Sequence, residues 1–483
     1  MVAAGQGLHL RSPFGWTLRE SLQHAGHMAD LAEDPTRMNL IDSLWLDVKQ
    51  TEGPVAVGAV LEFEGRAPSI DKIRERVDET LVHAPRLRQK PEHSRTGILQ
   101  GKWVDDNPDL EQHVTKRKIA KGGLEAEISK LLVTPMDTHR PLWDISVLTG
   151  YAPGQWALVW RLHHAVADGE GVTMLVGRTI DMSPDGMVTM TDALVAQADA
   201  ARAARRGPVD VTLDAGDKLR TALVGAFSDA AAIAAATPAT VRALLRMAPA
   251  PPTELAGTPS PGRDWRHIHL SLSAVKAAGK QNGATVNDVI MAAVTNGYRK
   301  VLLSHGEDLE GREVRAVMPV SRRTPGDTRS NNQVSAMPIA LPVGIGDPQK
   351  RLKRVVKQTQ QGKKSLAPAV LGSMQDMATK ITPAPLQEFF VSHGGWATAW
   401  VTDTLVTNVR GPQQPTYFCG QEIKYLSPII PIGGGLRTVV GINSYNGVLN
   451  IAITGDSAHA SEDALLLAGI QEGIDELVAS APK

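Results

Sequence analysis

The sequence predicts an α/β protein of two similar lobes, each a mixed sheet flanked by helices. Three observations predict this fold class. The chain has 483 residues, which is more than one hydrophobic core usually serves. Helical and strand-like patterns alternate in both halves of the chain. An order of strand, turn, strand, aspartate and helix occurs at 145–180 and again at 438–468.

The first lobe is predicted over residues 1–185. Ser69 is a suitable N-cap, because apolar residues at helical spacing follow it as far as Leu81. A second helix is indicated from Leu124 to Leu132. The strand-like runs of this lobe lie at 55–63, 143–148 and 155–164.

The second lobe is predicted over residues 265–483, after an Ala- and Pro-rich helical connector at 186–264. The pair Asn446-Gly447 lies between two strand-like runs and is a strong hairpin signal. The expected helices of this lobe lie at 286–303, 349–360 and 462–478, and the expected strands lie at 313–319, 333–341, 404–409, 438–444 and 448–454.

The composition excludes some classes of partner. Lys plus Arg and Asp plus Glu each total 51, so the formal net charge is zero and nucleic acid is not the expected main partner. Cys419 is the only cysteine, which excludes an intramolecular disulfide and favours an intracellular setting. No run resembles a secretory signal or a membrane span, so we expect a cytoplasmic protein.

Two adjacent histidines end the predicted strand 155–164. Side chains alternate between the two faces of a strand, so only one histidine can point into a given site. His164 should share a face with Trp160, whereas His163 should share the opposite face with Arg161. The alternation therefore makes one of the two imidazoles the candidate for chemistry.

Asp168 and Gly169 follow the histidines, where the chain must turn into the next helix. Gly169 tolerates the backbone of a tight turn, and Asp168 suits a helix cap or a buried ion pair. The spacing alone leaves open that the histidines are structural or surface residues. Metal binding by His163, His164 and Asp168 is a further alternative, which the opposed side-chain directions disfavour.

The run His163-His164-Ala-Val-Ala-Asp168-Gly169 resembles the His-His-x-x-x-Asp-Gly motif of the superfamily that includes chloramphenicol acetyltransferase and peptide-synthetase condensation domains. Other runs, in order along nearly the whole chain, resemble motifs of one member family, the wax ester synthase/diacylglycerol acyltransferases. These runs are Met38-Asn-Leu-Ile-Asp-Ser-Leu-Trp45, Arg140-Pro-Leu-Trp143, Ala284-Thr-Val-Asn-Asp288, Val317-Met-Pro-Val-Ser-Arg322 and Asn408-Val-Arg-Gly-Pro412. Two positions depart from the family pattern, since Arg410 replaces a proline and Asn331-Asn332 stands where Gly-Asn is usual.

The resemblance implies a role for each residue of the histidine motif. His164 matches the general base that takes the proton of the acceptor hydroxyl group, and His163 matches a supporting histidine. Asp168 matches an aspartate that orders the loop through an arginine, for which Arg323 is the candidate. Gly169 matches a glycine that lets backbone and substrate approach closely.

Four further residues are candidates for substrate binding. Pro141 and Trp143 could shape the acyl or acceptor channel, and core packing is the alternative for both. Asn287 and Asp288 could support the site from the second lobe, and an N-terminal helix cap is the alternative for them.

The implied fold has two chloramphenicol-acetyltransferase-like lobes with the active-site channel between them. The implied reaction moves a long-chain acyl group from acyl-CoA, as co-substrate, to diacylglycerol or a fatty alcohol, giving triacylglycerol or wax ester without a covalent enzyme intermediate. No bound cofactor and no metal are expected, and peripheral contact with the inner membrane or lipid droplets is compatible with such substrates. Two alternatives stay open: an acyltransferase acting on a polyketide or glycolipid hydroxyl group, and a non-catalytic binding module of the same fold.

Overall fold

Two six-stranded mixed sheets and a two-stranded ribbon form the framework of the part of the chain that the structure describes. The structure is a computed structural model, and it describes residues 54–92, 101–167, 169–196, 253–321, 334–363 and 401–480, with Thr36, Met38, Asp42, Trp45 and Leu46. Most of the predicted connector, 186–264, lies outside these ranges.

The first half of the chain contributes six strands and four helices to the described residues. The strands are β1 (Ala56–Glu64), β2 (Gln89–Glu92), β3 (Lys102–Asp105), β4 (Val114–Lys118), β5 (Trp143–Thr149) and β6 (Gln155–His163). The helices are α1 (Ile70–Leu81), α2 (Leu110–His113), α3 (Leu124–Val133) and α4 (Gly169–Gly177).

The second half contributes eight strands and four helices within the described ranges. The strands are β7 (Arg263–Ser271), β8 (Val314–Ser321), β9 (Val334–Leu341), β10 (Thr404–Arg410), β11 (Tyr417–Phe418), β12 (Gln421–Ile429), β13 (Thr438–Tyr445) and β14 (Val448–Asp456). The helices are α5 (Leu272–Gln281), α6 (Val286–Ser304), α7 (Pro348–Lys363) and α8 (Ala460–Ala479). Apart from the helical connector at 186–264, which lies mostly outside the described residues, the helices and strands that the sequence predicts are confirmed, with ends that differ by three residues at most.

The two sheets contain the same four-stranded block. The first sheet has the order β11-β12-β1-β6-β5-β4, and the second has the order β7-β14-β13-β10-β8-β9. In the first sheet β1, β6 and β5 are antiparallel neighbours and β4 is parallel to β5. In the second sheet β7, β14 and β13 are antiparallel neighbours and β10 is parallel to β13. The predicted similarity of the lobes is therefore a similarity of strand order and direction.

One segment of the second half belongs to the first sheet. β12 pairs antiparallel with β1, from Gly58 opposite Ile429 to Phe63 opposite Ile423. Without β12, β1 would expose an edge of unpaired backbone groups, which sheets normally cover. The boundaries at 185 and 264 stay a prediction, but sheet membership crosses them at β12.

Apolar side chains pack on both faces of the first sheet and in the core of the second sheet. On one face of the first sheet, Leu61, Leu158 and Trp160 pack beneath α1 and α4. Helices α6 and α8 bury the core of the second sheet. The other face of the first sheet packs Val60 and Val159 against Trp265 of β7. This layer joins the two halves of the chain. In the described ranges, no helix is long and apolar enough to cross a bilayer.

Candidate active site

The paired histidines lie where β6 ends between its two neighbours. The backbone N–H of His163 donates to the carbonyl oxygen of Leu142, just before β5, with an N···O distance of 3.0 Å. The N–H of His164 donates to the carbonyl oxygen of Val55, just before β1, at 2.9 Å. The chain then turns sharply, since the N–H of Val166 donates to the carbonyl oxygen of His163 at 2.9 Å. Backbone bonds on both sides thus fix the position of this strand end.

The faces of β6 follow the predicted alternation. Trp160 packs in the core beneath α1 and α4, whereas Arg161 pairs with Asp144 on the opposite side of the sheet. The imidazole of His164 stacks at a tilt of 32° on the indole of Trp45, with 4.4 Å between the ring centroids. Trp45 itself packs against the same core as Trp160. The structure therefore joins the opening motif to the histidine motif through this ring contact.

His163 is held by its own turn. The backbone N–H of Ala165 donates to Nδ1 of His163 at 3.2 Å, so the neutral ring carries its proton on Nε2. Burial and the neighbouring His164 lower the pKa of His163 to about 4. These contacts agree with a supporting role.

His164 is neutral over the physiological range. Burial lowers the pKa of His164 to about 4, and a hydrogen bond of the ring to the residue's own backbone offsets only part of this shift. This bond helps to orient the ring at the end of β6. A neutral imidazole is the form that a general base requires.

A buried ion pair that sequence reasoning missed supports the strand end. Arg161 of β6 donates to both carboxylate oxygens of Asp144 on β5, at 2.9 and 2.5 Å. Its third nitrogen donates to the carbonyl oxygens of Leu131 and Thr134 at the end of α3. A cation suits the carbonyl end of a helix. An arginine within the apolar run of β6, opposite an acidic residue, was the signal that could have revealed this pair.

Gly169 is the first residue of α4, and its backbone conformation does not require a glycine. Its φ is not among the positive glycine φ values, and no described heavy atom lies within 4 Å of a Cβ atom built on it. The conformational freedom that we expected at this turn is therefore not used. What remains is the open space beside Gly169, which agrees with close approach of a substrate. Asp168 lies outside the described residues.

Pro141 and Trp143 are buried, as their alternative reading predicted. Trp143 is 2% exposed, and its indole N–H donates to the carbonyl oxygen of Leu87 at 2.8 Å. Its ring also packs against the imidazole of His113, with 4.4 Å between the centroids. The geometry thus supports core packing beneath the site.

Asp288 belongs to the N-terminal cap of α6, where it forms a capping box with the N-cap residue Thr285. Its carboxylate accepts from the backbone N–H of Thr285 at 2.8 Å, while the hydroxyl group of Thr285 accepts from the N–H of Asp288 at 3.3 Å. The other oxygen of Asp288 accepts from the hydroxyl group of Thr359 on α7 at 2.6 Å. These bonds favour the capping alternative over substrate binding.

Asn287 is where three of the predicted motifs meet. Its side-chain oxygen accepts from Nδ2 of Asn408 at 3.3 Å, and its Nδ2 lies 3.8 Å from Sδ of Met318. Asn287 stays partly exposed, so it remains a candidate for substrate binding. Arg323 and the pair Asn331-Asn332 lie outside the described residues.

Comparisons with known proteins identify the family. The family described as "Wax ester synthase/diacylglycerol acyltransferase catalytic domain" matches residues 38–290, and "WS/DGAT C-terminal domain" matches residues 330–478. The chain belongs to the wax ester synthase/diacylglycerol acyltransferase family. The resemblance expected from the motifs is confirmed.

Relatives of this family member match it over most of its length. A Mycobacterium tuberculosis protein with the name "probable diacylglycerol O-acyltransferase" is 29% identical over 435 residues, which are 88% of this chain and 91% of that protein. The structure of a wax ester synthase/diacylglycerol acyltransferase from Marinobacter aquaeolei VT8 matches with a TM-score of 0.64 and 22% identity, covering 92% of this chain and all of that one. The first condensation domain of the CDA synthetase matches with a TM-score of 0.57 and 14% identity, over 93% and 98% of the two chains. The predicted fold class is confirmed.

Proposed function

We propose that this family member transfers a long-chain acyl group from acyl-CoA to the hydroxyl group of diacylglycerol or of a fatty alcohol, giving triacylglycerol or wax ester. Family membership supports acyl transfer and both product classes. The observation that carries the catalytic assignment is the neutral imidazole of His164, whose position is fixed by backbone bonds at the end of β6 and by the ring of Trp45. Acyl-CoA acts as co-substrate.

In the proposed reaction, His164 Nε2 accepts the proton of the acceptor hydroxyl group as its oxygen attacks the thioester carbonyl carbon. The tetrahedral intermediate collapses, the carbon–sulfur bond breaks, and the CoA thiolate takes the proton back from the imidazolium. The burial that keeps His164 neutral also makes its charged form short-lived, which favours this return of the proton. Transfer is direct, without an acyl-enzyme.

We also propose that the protein works in the cytoplasm in peripheral contact with a membrane or a lipid droplet, where its acceptors reside. Three exposed apolar side chains support this contact: Met187 is 80% exposed, Val188 45% and Leu194 36%. They follow α4 and lie at the start of the Ala- and Pro-rich connector, 186–264. Flotation with phosphatidylglycerol vesicles should therefore decrease when Met187 and Val188 are replaced by Ser.

The test of the catalytic proposal follows CoA release from palmitoyl-CoA, with hexadecanol and dipalmitoylglycerol offered separately. Wild type should show acceptor-dependent release, and His164→Ala should lower it by about 10²-fold or more. The matched control is His83→Ala, because His83 is exposed in the turn after α1 and its backbone N–H, which the substitution keeps, donates to the carbonyl oxygen of Thr80. Full activity in the His164 variant would disprove the assignment of the base.

The same assay separates the remaining alternatives. If hexadecanol and dipalmitoylglycerol do not stimulate CoA release, but a glycolipid or polyketide alcohol does, the acceptor belongs to that second class. Binding of acyl-CoA without release in the presence of any of these acceptors would favour a non-catalytic module.

A further inference from the structure

Three metal-ligand side chains converge between the two sheets, away from the histidine motif. Nε2 of His269 lies 3.2 Å and Nε2 of His267 lies 3.4 Å from the same oxygen, Oε1 of Glu62. The three atoms lie within 4.8 Å of one another. Glu62 belongs to β1 of the first sheet, and the histidines alternate on β7 of the second.

Each histidine has an outer partner that directs its Nε2 inward. Nδ1 of His267 contacts Oε1 of Glu125 at 3.0 Å, and Nδ1 of His269 contacts Oδ1 of Asn450 at 2.8 Å. Both partners are acceptors, so the Nδ1 atoms carry the protons. Both Nε2 atoms then face the Glu62 carboxylate, so either a bound cation or a second ring proton must lie between them. A histidine whose second nitrogen donates to an oxygen acceptor is the usual metal-binding arrangement.

The spacing of the three atoms suits a tetrahedral ion. Ligands about 2.0–2.1 Å from zinc lie about 3.3 Å from one another in a tetrahedron. The two nitrogen–oxygen separations of 3.2 and 3.4 Å agree with that edge length, and the two Nε2 atoms lie within 4.8 Å of each other. Charge-assisted N–H···O bonds are shorter, about 2.7–2.9 Å.

Aromatic rings hold both imidazoles in place. Tyr425 of β12 stacks on His269 with a centroid distance of 3.8 Å and an angle of 4°, and Trp265 stacks on His267 at 4.7 Å and 23°. Glu62 is 9% exposed and lies opposite Tyr425 in the pairing of β1 with β12. The ligands are therefore largely ordered before an ion arrives.

We propose that Glu62, His267 and His269 bind one zinc ion that links the first sheet to the second, with water as the fourth ligand. Two imidazoles and a carboxylate form a donor set that suits zinc. The site is separate from the catalytic one. Ala56 pairs with His163, and Glu62 lies six residues further along β1, about 20 Å in an extended strand. The ion acts on stability and not on acyl transfer.

The competing explanation is an ion pair without metal. Burial lowers the pKa of His267, but hydrogen bonds to Glu125 and Glu62 outweigh it and raise the pKa to about 9 in the absence of an ion. A proton would then take the place of the metal. The two explanations predict different metal contents for the purified protein and different changes of its stability when zinc is added.

The test uses the full chain without a histidine tag, stripped with a chelator and then titrated with zinc against a chromophoric competitor. Wild type should bind one zinc per chain, and saturating zinc should raise its Tm by about 3 °C. His269→Gln and Glu62→Gln should each weaken zinc binding by at least about 100-fold, and Glu125→Gln, which keeps all three ligands, by about 10-fold. Cobalt(II) in place of zinc should give the visible absorption of a tetrahedral site in wild type only.

The matched control is His305→Gln. His305 lies 3.5 Å from Glu254 and 3.4 Å from Glu462 at the surface, within another group of histidine and acidic residues. The substitution His305→Gln should leave the zinc content unchanged. Any of three outcomes would overturn the proposal: loss of zinc in His305→Gln alone, retention of zinc in His269→Gln, or no zinc binding by wild type. Circular dichroism of each variant confirms that it is folded.

Discussion

The block β1-β6-β5-β4 and the block β7-β14-β13-β10 share strand order and direction, yet their central hairpins end differently. β6 ends in His163 and leads into the turn of His164, whereas β14 ends in Gly455 and Asp456. The same position in two copies of one topology thus carries an imidazole in the first and a carboxylate in the second.

The surroundings of the two strand ends explain the difference. Asp456 uses its carboxylate within the fold, accepting from the backbone N–H groups of Ser260 at 3.0 Å and Ala458 at 3.1 Å. A Cβ atom at Gly455 would lie within 2 Å of the Asp463 carboxylate, so this end is filled. At the first strand end backbone bonds hold the histidines, and no atom of the described residues lies within 4 Å of a Cβ atom built on Gly169. The topology supplies the position, and local contacts decide whether it is available for chemistry.

The largest effect should come from the ion pair that supports only the first hairpin. Replacing Arg161 with Met leaves Asp144 and two carbonyl oxygens without their donor, and should lower the free energy of unfolding by about 3 kcal/mol. Urea denaturation measures this change. The control is Arg117→Met, whose pair with Glu127 is more exposed and should contribute less than about 1 kcal/mol. Equal losses of stability in the two variants would show that burial of the Arg161–Asp144 pair does not matter.

The pH dependence tests whether the first strand end is as buried as its contacts suggest. Because burial lowers the pKa of His164 to about 4, protonation should abolish catalysis only near that pH. At pH 5 the activity should be roughly 30-fold higher than for a histidine with the ordinary pKa of about 6.5. The measurement is kcat/KM from pH 4 to 8, with circular dichroism at each pH. A midpoint near 6.5 would contradict the buried environment.

Asp456→Ala tests the second strand end, where the expected effect is on stability alone. The variant loses the cap of the 3₁₀ turn Ser457–His459 and the bonds to Ser260, which should lower stability by about 1–2 kcal/mol. Activity per folded molecule should stay within about twofold of wild type. A large loss of kcat in a folded variant would mean that the second strand end also serves the reaction.

Gly169→Ala should give the opposite pattern, with the smallest effect on stability. The fold offers room for the added methyl group among the described residues, and alanine favours a helix by up to about 1 kcal/mol. Tm should therefore hold or rise, while kcat/KM falls by about tenfold if substrate occupies that space. Unchanged kinetics would show that the substrate passes elsewhere.

Much of the local structure and part of the site followed from the sequence. The end of β6, the opposite faces of Trp160 and Arg161, and the cap alternative for Asp288 were all predicted and observed. The strand β7 was missed because Arg263, His267 and His269 interrupt its apolar pattern. Two of these polar residues, His267 and His269, are the ones that contact Glu62.

The sequence by itself determined part of the secondary structure, the order of those elements and the strand end that presents the histidines. These depend on patterns a few residues long, since caps, turns and the two-residue period of strands act locally. Only the tertiary structure decided that β12 completes the first sheet, that Arg161 binds Asp144 and that Glu62 meets two histidines of β7. These contacts join segments that no local pattern connects. They form because the packing of the sheets buries edges and charges that must then find partners.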